Sequence, residues 1–244
     1  MISEKKTALV TGGNKGIGFE TARQLAQLGY VVWIGCRDAG RGEAAAAELR
    51  KQDGDVRFLA LDVADDESVR KAVTALSAET TRLDVLVNNA AIAIAAEDRV
   101  PSTIDLATVR ATYEVNLYGP LRVTQGFMPL LRAAAAARIV MVSSGLGSLT
   151  KQADPTSGLS RWPVFAYSSS KSALNALTIA LANELRKTPI KVNAVDPGFN
   201  ATDLNGHTGT QPPSQGARVV VRVATLDASG PSGTFIEESG PEPW

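Results

Sequence analysis

The segment TALVTGGNKGIG, residues 7–18, runs from a short apolar stretch through a cluster of glycines into a helical pattern. Residues 7–10 predict a buried strand and residues 16–28 predict a helix, so the glycines lie in a strand-to-helix turn. Glycine permits a tight turn and lets an anion approach the backbone, where the free N–H groups of the helix start can bind it. In this position the turn favours a dinucleotide pyrophosphate site over an ordinary loop.

The same alternation of strand and helix repeats along the chain. Apolar runs predict buried strands at 31–36, 56–61, 84–88, 138–143 and 190–195, and helical patterns lie at 41–52, 66–79, 105–136 and 166–187. The runs lack polar alternation, as expected for parallel strands covered on both faces. The prediction is an α/β fold, a doubly wound, mostly parallel sheet of about seven strands with helices on both faces. Residues 233–240 are a candidate edge strand, and without a linker or repeat the chain 1–244 is expected to form one domain.

Composition narrows the classes of partner. Lys plus Arg and Asp plus Glu each number 25, so the basic excess typical of nucleic-acid binding is absent. No apolar run approaches the roughly 20 residues that span a bilayer, and the first apolar run is too short for a signal peptide. Cys36 is the only cysteine, so no intrachain disulfide can form. A cytoplasmic protein that binds neither membrane nor nucleic acid is the expectation.

Several motifs occur in a fixed order along the chain. They are TGGNKGIG at 11–18, NNAA at 88–91, Asn116, the pair Ser143-Ser144, YSSSK at 167–171 and PGFNAT at 197–202. Together they resemble the short-chain dehydrogenase/reductase family in its single-domain form, whose sheet is a Rossmann fold. The segments GGNKGIGFE and GCRDAGRG are most similar to NADPH-dependent carbonyl reductases. The chain departs from the family pattern at Ala91, where glycine is usual, and in the longer gap between Ser144 and Tyr167.

The resemblance implies which residues bind the nicotinamide cofactor. The glycine turn would hold the pyrophosphate, Asp62 and Val63 the adenine, and Asn89 the adenosine ribose. Lys171 would bond the nicotinamide ribose, while Pro197, Gly198 and Thr202 would hold the nicotinamide. The full implied set is Gly12, Asn14, Lys15, Gly16, Ile17, Gly18, Arg37, Asp62, Val63, Asn89, Ala90, Tyr167, Lys171, Pro197, Gly198 and Thr202.

The end of the second predicted strand bears on the choice between NADP and NAD. Relatives that select NAD have an acidic residue at the strand end, where this chain has Cys36 followed by Arg37. A guanidinium suits a 2′-phosphate, and Lys15 adds a second cation on the same side. Asp38 offers the competing NAD interpretation, since an acidic residue about 20 positions beyond the glycine turn can bond the ribose. NADP is the favoured cofactor, and NAD stays open.

Tyr167 and Lys171 are four residues apart on a predicted helix and so share one face. An unperturbed tyrosine has a pKa of about 10, too high for easy proton exchange near neutrality. The Lys171 ammonium and an oxidised nicotinamide ring would favour the phenolate and lower that pKa. Tyr167 is therefore the candidate general acid or base.

Two further residues complete the predicted catalytic set. Ser144 ends the fifth strand, at the carboxyl edge where open α/β sheets bind ligands, and its hydroxyl would polarise the substrate oxygen; Ser143 is the rival. Asn116 precedes Gly119-Pro120 inside a long predicted helix. The resemblance implies that Asn116 anchors a water linking Lys171 to solvent, whereas the residues alone would equally suit a helix kink.

The predicted reaction is hydride transfer between NADPH and a ketone or aldehyde, with an alcohol as the product. The substrate loops are placed at about 145–165 and 199–213, with a further wall near 92–98. The candidate wall residues are Ile92, Ile94, Leu146, Leu149, Trp162, Phe165, Phe199 and Leu204, which suit an apolar carbonyl. An NAD-linked alcohol dehydrogenase and a non-catalytic NADP(H) redox sensor are the alternatives. No metal site is predicted, and relatives often form homo-oligomers.

Overall fold

A computed structural model of the protein describes residues 5–52, 54–94 and 96–244. Within them, eight strands form one sheet in the order β3-β2-β1-β4-β5-β6-β7-β8. The strands are β1 Thr7–Thr11, β2 Val31–Cys36, β3 Val56–Ala60, β4 Val85–Asn88, β5 Arg138–Val142, β6 Lys191–Val195, β7 Phe235–Glu237 and β8 Gly240–Pro241. Every neighbouring pair is parallel except β7 with β8. The predicted doubly wound α/β fold is confirmed, with one more strand than expected.

Helices cover both faces of this sheet. They are α1 Gly16–Gln27, α2 Ala39–Arg50, α3 Asp66–Glu79, α4 Leu106–Tyr113, α5 Gly119–Ala133, α6 Leu149–Ala153, α7 Phe165–Glu184 and α8 Pro213–Ala224. The single helix predicted over 105–136 is instead α4 and α5 joined by a π-helical turn, Glu114–Tyr118. Among the described residues, no helix combines the length and the apolar character needed to cross a membrane.

Each central strand supplies side chains to two apolar cores. Leu9, Leu86 and Ile139 pack on one face with Phe127 of α5, in one buried cluster. Their neighbours Val10, Val87 and Val140 pack on the other face, in a second cluster. Because both faces are buried, successive strand residues are all apolar, which is why the runs lacked polar alternation.

The strand order brings the predicted functional segments together at the carboxyl ends of the strands. The chain winds outward from β1 through β2 to β3, then returns to β4 on the other side of β1. At such a switch point the connections diverge and leave a crevice beyond the carboxyl ends of the strands. The glycine turn follows β1 directly, and the turn of residues 88–91 starts at the end of β4.

Candidate active site

The glycine turn has the geometry that an approaching phosphate requires. Gly12 and Gly16 have φ of 63° and 57°, in the left-handed region that favours glycine. A Cβ added to Gly18 would lie 2.5 Å from the Gly12 carbonyl oxygen, so no side chain fits there. Lys15 precedes α1 in an extended conformation without a capping side-chain bond, and the first turn has no acidic residue. The N–H groups at the start of α1 are thus free of an internal anion, and the turn fits a dinucleotide pyrophosphate.

Asn89 fastens the end of β4 to this turn. Its amide nitrogen donates to the carbonyl oxygens of Thr11 (2.9 Å) and Gly12 (3.2 Å). The Thr11 hydroxyl in turn accepts the backbone N–H groups of Asn89 and Ala90. Asn14 and Ile17, also predicted to bind the cofactor, are half-buried in the turn.

The ends of β2 and β3 present the other predicted cofactor residues. Arg37 is exposed directly after the buried Cys36. The Asp38 carboxylate accepts the Arg41 N–H at 2.9 Å and caps α2, so it is engaged in a structural role.

At the end of β3, Asp62 is half-buried and Val63 is buried. The Asp62 carboxylate accepts the Ala64 N–H at 3.0 Å, within its own turn. The cap of α3 comes from Asp65, which accepts the N–H groups of Glu67 and Ser68. Asp62 does not cap α3, and its contact with the adenine stays a prediction.

The segment after β6 reaches across to the glycine turn. A Cβ on Gly16 would lie 3.3 Å from the Thr202 methyl carbon, so these two predicted cofactor residues are neighbours. The Lys15 ammonium pairs with the Asp203 carboxylate at 2.6 Å, a partner that the sequence did not predict. Both side chains are about half exposed, so the pair is open to exchange with another anion. Earlier in the segment, Pro197 is buried and Gly198 has a φ of 77°.

Tyr167 and Lys171 share one face of α7, as predicted. The Lys171 ammonium lies 5.6 Å from the centroid of the Tyr167 ring and donates to the Val142 carbonyl at 2.8 Å. Lys171 is only 3% exposed. Burial without a counter-ion lowers the pKa of Lys171 to about 8.

The predicted lowering of the Tyr167 pKa by Lys171 is wrong for the protein without its cofactor. The pKa of Tyr167 is raised to about 12, mainly by burial; the Ser144 hydroxyl lowers it and the Asp196 carboxylate adds to the rise. Burial dominates because it penalises the phenolate, while the Lys171 ammonium is directed to a backbone carbonyl.

The two serines after β5 have different partners. The Ser143 hydroxyl is buried and donates to the Asn175 carbonyl oxygen at 2.6 Å. The Ser144 hydroxyl is half-buried, accepts the Leu146 N–H at 3.2 Å and lies close enough to the Tyr167 phenol to lower its pKa. Ser144 is thus the serine that shares a site with the tyrosine.

Asn116 is fully buried in the π-helical turn. Its side chain accepts the Ile92 N–H and donates to the Ile92 carbonyl, both at 2.9 Å, and also donates to the Ser170 hydroxyl at 3.1 Å. The residue therefore ties the 92–94 loop to the helix that carries Tyr167. Its water relay to Lys171 stays a prediction.

Sequence reasoning missed Asp98. Its carboxylate is buried and accepts the N–H groups of Ala166 and Tyr167, both at 2.9 Å, at the start of α7. Capping there fixes the first turn of α7 and thus the Tyr167 backbone. The two partners are 69 residues apart in sequence, so no local pattern could reveal the bond.

Apolar side chains stand exposed on the predicted substrate loops. Trp162 and Phe199, from the two loops, contact each other edge to face at 5.7 Å between ring centroids. Leu149, Trp162, Phe165, Phe199 and Leu204 are all substantially exposed. Ala95, in the predicted wall at 92–98, lies outside the described residues.

A group of carboxylates close to the site was also missed. Carboxylate oxygens of Asp196, Glu237 and Glu242 lie within 4.8 Å of one another. The Lys151 ammonium pairs with Glu242 at 2.6 Å, which supplies a positive charge to the group. The four residues come from separate segments, so their meeting depends on the whole fold.

A family model described as short chain dehydrogenase matches residues 6–213, most of the chain and all of the site described above except the C-terminal carboxylates. The chain belongs to the short chain dehydrogenase family. The predicted resemblance is confirmed, and the protein is an oxidoreductase.

Named members of the short chain dehydrogenase family match over nearly the whole chain. A short-chain dehydrogenase of Penicillium roqueforti is 36% identical over 227 residues, covering 91% of this chain and 89% of its own. Carbonyl reductase [NADPH] 1 of Mus musculus is 33% identical over 283 residues and fully covers both chains. The crystal structure of an NADPH-bound carbonyl reductase from chicken fatty liver superposes with a TM-score of 0.85 at 26% identity, covering 99% of this chain and 100% of its own.

Proposed function

We propose that this protein reduces ketones or aldehydes with NADPH, using Tyr167 as the proton donor. The observation that carries the proposal is the buried Lys171 ammonium 5.6 Å from the centroid of the Tyr167 ring, with the Ser144 hydroxyl close to the phenol. The similarity to carbonyl reductases named for NADPH supports the reaction class.

The residues implied for cofactor binding would each contact one part of NADPH. N–H groups at the start of α1 would bind the pyrophosphate, with Asp62 and Val63 at the adenine and Asn89 beside the ribose. The segment of Pro197, Gly198 and Thr202 would border the nicotinamide. When bound, NADPH supplies the hydride. The protein sets which face of the carbonyl receives it.

Proton transfer falls to the chain's own residues. Ser144 would hold and polarise the carbonyl oxygen, and Tyr167 would donate its phenolic proton to that oxygen as negative charge develops. A pKa of about 12 before the cofactor binds keeps the phenol protonated at neutral pH, which suits the acid role. Lys171 would restore the proton, with Asn116 ordering a water between the ammonium and solvent.

The residues around β2 support NADPH over NADH. Asp38 caps α2 and is not free to bond a ribose hydroxyl, whereas Arg37 is exposed at the strand end. Arg37 would grip the 2′-phosphate through charge-assisted hydrogen bonds. Lys15 would join it by exchanging Asp203 for the phosphate.

The loops favour an apolar or aromatic carbonyl. Trp162 and Phe199 form an edge-to-face pair, and other exposed apolar side chains flank them. Exposed large apolar groups are unfavourable in water unless a ligand covers them. A substrate with an apolar body next to its carbonyl would cover them.

The proposal is tested by incubating the purified protein with NADPH and a panel of aliphatic, aromatic and sugar carbonyls. Oxidation of NADPH with apolar and aromatic members, and little with sugars, is the expected outcome. Tight NADPH binding with no turnover across the panel would instead favour the redox sensor.

Cofactor choice has its own test. Arg37→Ser is expected to raise the KM for NADPH by about tenfold to hundredfold, the value of one or two charged hydrogen bonds, and to leave the KM for NADH unchanged. Arg41→Ser is the matched control, because Arg41 faces Asp38 at 3.7 Å on the same helix start. Equal NADH and NADPH binding in the wild type would reverse the assignment in favour of NAD.

A further inference from the structure

The last residues of the chain hold the first substrate loop in place. The Ser148 hydroxyl donates to the Pro243 carbonyl at 2.7 Å, and the Thr150 N–H donates to the Trp244 carbonyl at 2.8 Å. The Trp244 ring also stacks on the ring of Phe235 in β7, with 5.5 Å between the ring centroids. The segment 241–244 thus joins the sheet to the loop that begins at Ser144.

Glu242 places a carboxylate in the interior of this junction. Its side chain is fully buried and pairs with the Lys151 ammonium of α6 at 2.6 Å. Its second oxygen, Oε2, is buried and finds no hydrogen-bond partner in the part of the chain that the structure describes. Asp196 and Glu237 place their carboxylate oxygens within 4.8 Å, so Lys151 is the one cation facing three acidic groups among the described residues.

Asp196 connects this group to the reacting centre. It follows β6 and accepts the Gly198 N–H at 2.9 Å. It also packs against Gly145, the residue after Ser144. A Cβ on Gly145 would lie 2.8 Å from Asp196 Oδ2, so the contact requires glycine there. One carboxylate therefore fixes the loop after β5 to the loop after β6.

We propose that Asp196 is a positioning residue that sets Ser144 and the Pro197–Gly198 turn against Tyr167, and that Glu242 of the C-terminal segment, paired with Lys151 of α6, holds Asp196 in place. The inference rests on the proposed function, because positioning is useful only where Ser144 and Tyr167 act together. Asp196 touches neither substrate nor the reacting atoms; it acts through the two loops.

The Asp196 charge acts on Tyr167 as well. The carboxylate raises the pKa of the Tyr167 phenol, so its removal lowers that pKa. Reduction needs the protonated phenol and is lost as pH rises through that pKa, so the alkaline limb of the rate profile moves to lower pH in a neutral variant. Among the described residues, the charged groups that face Asp196 are Lys151, Glu237 and Glu242, and the Tyr167 phenol is a further titratable group.

The test compares Asp196→Asn with Asp196→Leu, which have similar size. Asn keeps one acceptor for a loop N–H and Leu keeps none, while both remove the charge. If Asp196 positions the two loops, kcat is expected to fall about tenfold in Asp196→Asn and about hundredfold in Asp196→Leu, while the NADPH affinity stays within about threefold of the wild type. Both variants are expected to share one acidward shift of the alkaline limb. Glu238→Gln, an exposed neighbour of Glu237, is the matched control for charge.

A second readout needs no turnover. Phenolate absorbance of the NADP⁺ complex, measured as wild type minus Tyr167→Phe, reports the ionisation of Tyr167 alone, and the same difference is taken in the Asp196→Asn background. Glu242→Gln covers the case in which the Asp196 variants do not fold, and is expected to lower kcat about threefold to tenfold without changing NADPH affinity.

Three outcomes decide the matter. Graded loss of kcat with a shared acidward shift supports the inference. The inference is overturned if Asp196→Leu has the same kcat as the control Glu238→Gln. If Asp196→Leu does not fold, the same comparison is made between Glu242→Gln and Glu238→Gln, and an equal kcat again overturns the inference. An acidward shift of the Tyr167 titration in a wild-type protein that reduces no carbonyl would support the link between Asp196 and Tyr167 and contradict the proposed function.

Discussion

Lys171 and Glu242 are both buried ionisable groups, yet their surroundings differ. Lys171 has no carboxylate within ion-pair distance among the described residues and donates to the Val142 carbonyl. Glu242 pairs with Lys151 at 2.6 Å and lies close to two more carboxylates. The surroundings of Tyr167 thus carry an excess of positive charge, whereas those of Glu242 carry an excess of negative charge. The Asp196 carboxylate raises the pKa of both Tyr167 and Glu242.

The difference indicates two uses of buried charge. An unpaired buried cation costs stability, and the role proposed for Lys171 with NADPH and substrate would account for its retention. The carboxylate group instead accepts a backbone N–H and a lysine, and these bonds join separate segments. Under the proposed function, the first arrangement would serve the reaction directly, and the second would hold the loops on which the reaction depends.

The largest expected effect comes from Tyr167→Phe, which removes only the transferable proton. General acid catalysis contributes about 10²- to 10⁴-fold, so kcat is expected to fall about 10³-fold while NADPH affinity is retained. Steady-state rates and fluorescence titration with NADPH measure the two quantities. Tyr118→Phe, at an exposed tyrosine, is the control. A near-normal rate in Tyr167→Phe would place the acid elsewhere and remove the reason for a charged Lys171.

Lys171→Met tests whether the unpaired ammonium costs stability. The pKa of Lys171 is lowered from 10.5 to about 8, so the penalty is fully present below about pH 8 and vanishes above 10.5. The variant is expected to lose activity but to gain about 2 kcal/mol of unfolding free energy at neutral pH, after the lost bond to Val142 is counted. Urea unfolding of both proteins measures this gain, which should shrink as the pH rises toward 10.5. A loss of stability at pH 7 would show that the ammonium is well solvated or paired.

The sequence predicts a contact well when its two residues are close in the chain, and poorly when they come from distant segments. The strands were found because both faces are buried, so Val, Ile and Leu run without interruption, as in Val31–Cys36. The Tyr167–Lys171 pair was found because helix geometry alone brings positions four apart together. The run at 233–240, predicted as an edge strand, forms β7, but Gly240–Pro241 pairs with β7 as β8 and takes the edge of the sheet.

Contacts between distant segments escaped prediction. Asp98 at the start of α7 and Glu242 beside Lys151 are ordinary acidic residues in the sequence, and only the folded chain gives them buried partners. The π-helical turn at Asn116 was missed because its residues fit a regular helix equally well. The raised pKa of Tyr167 was missed because burial, which outweighs the nearby cation, is set by packing from several elements.

The smallest expected effect is the change in pH dependence of stability in Glu242→Gln. Burial raises the pKa of Glu242 from 4.5 to about 7, with Asp196 adding to the shift and Lys151 opposing it. A carboxyl with a raised pKa costs nothing below pH 4.5 and its full penalty above about pH 7, so the wild type loses stability across that interval. This slope is opposite in sign to that of Lys171.

Glu242→Gln removes this titration but leaves Lys151 without its anion, so the two effects largely cancel near neutrality. The unfolding free energy at pH 7 is expected to change by less than about 1 kcal/mol, whereas the fall between pH 4.5 and 7 becomes shallower. Urea unfolding at several pH values, with Glu238→Gln as the exposed control, measures the slope. An unchanged slope would mean that Lys151 fully neutralises Glu242, and the negative excess next to Asp196 would then not exist.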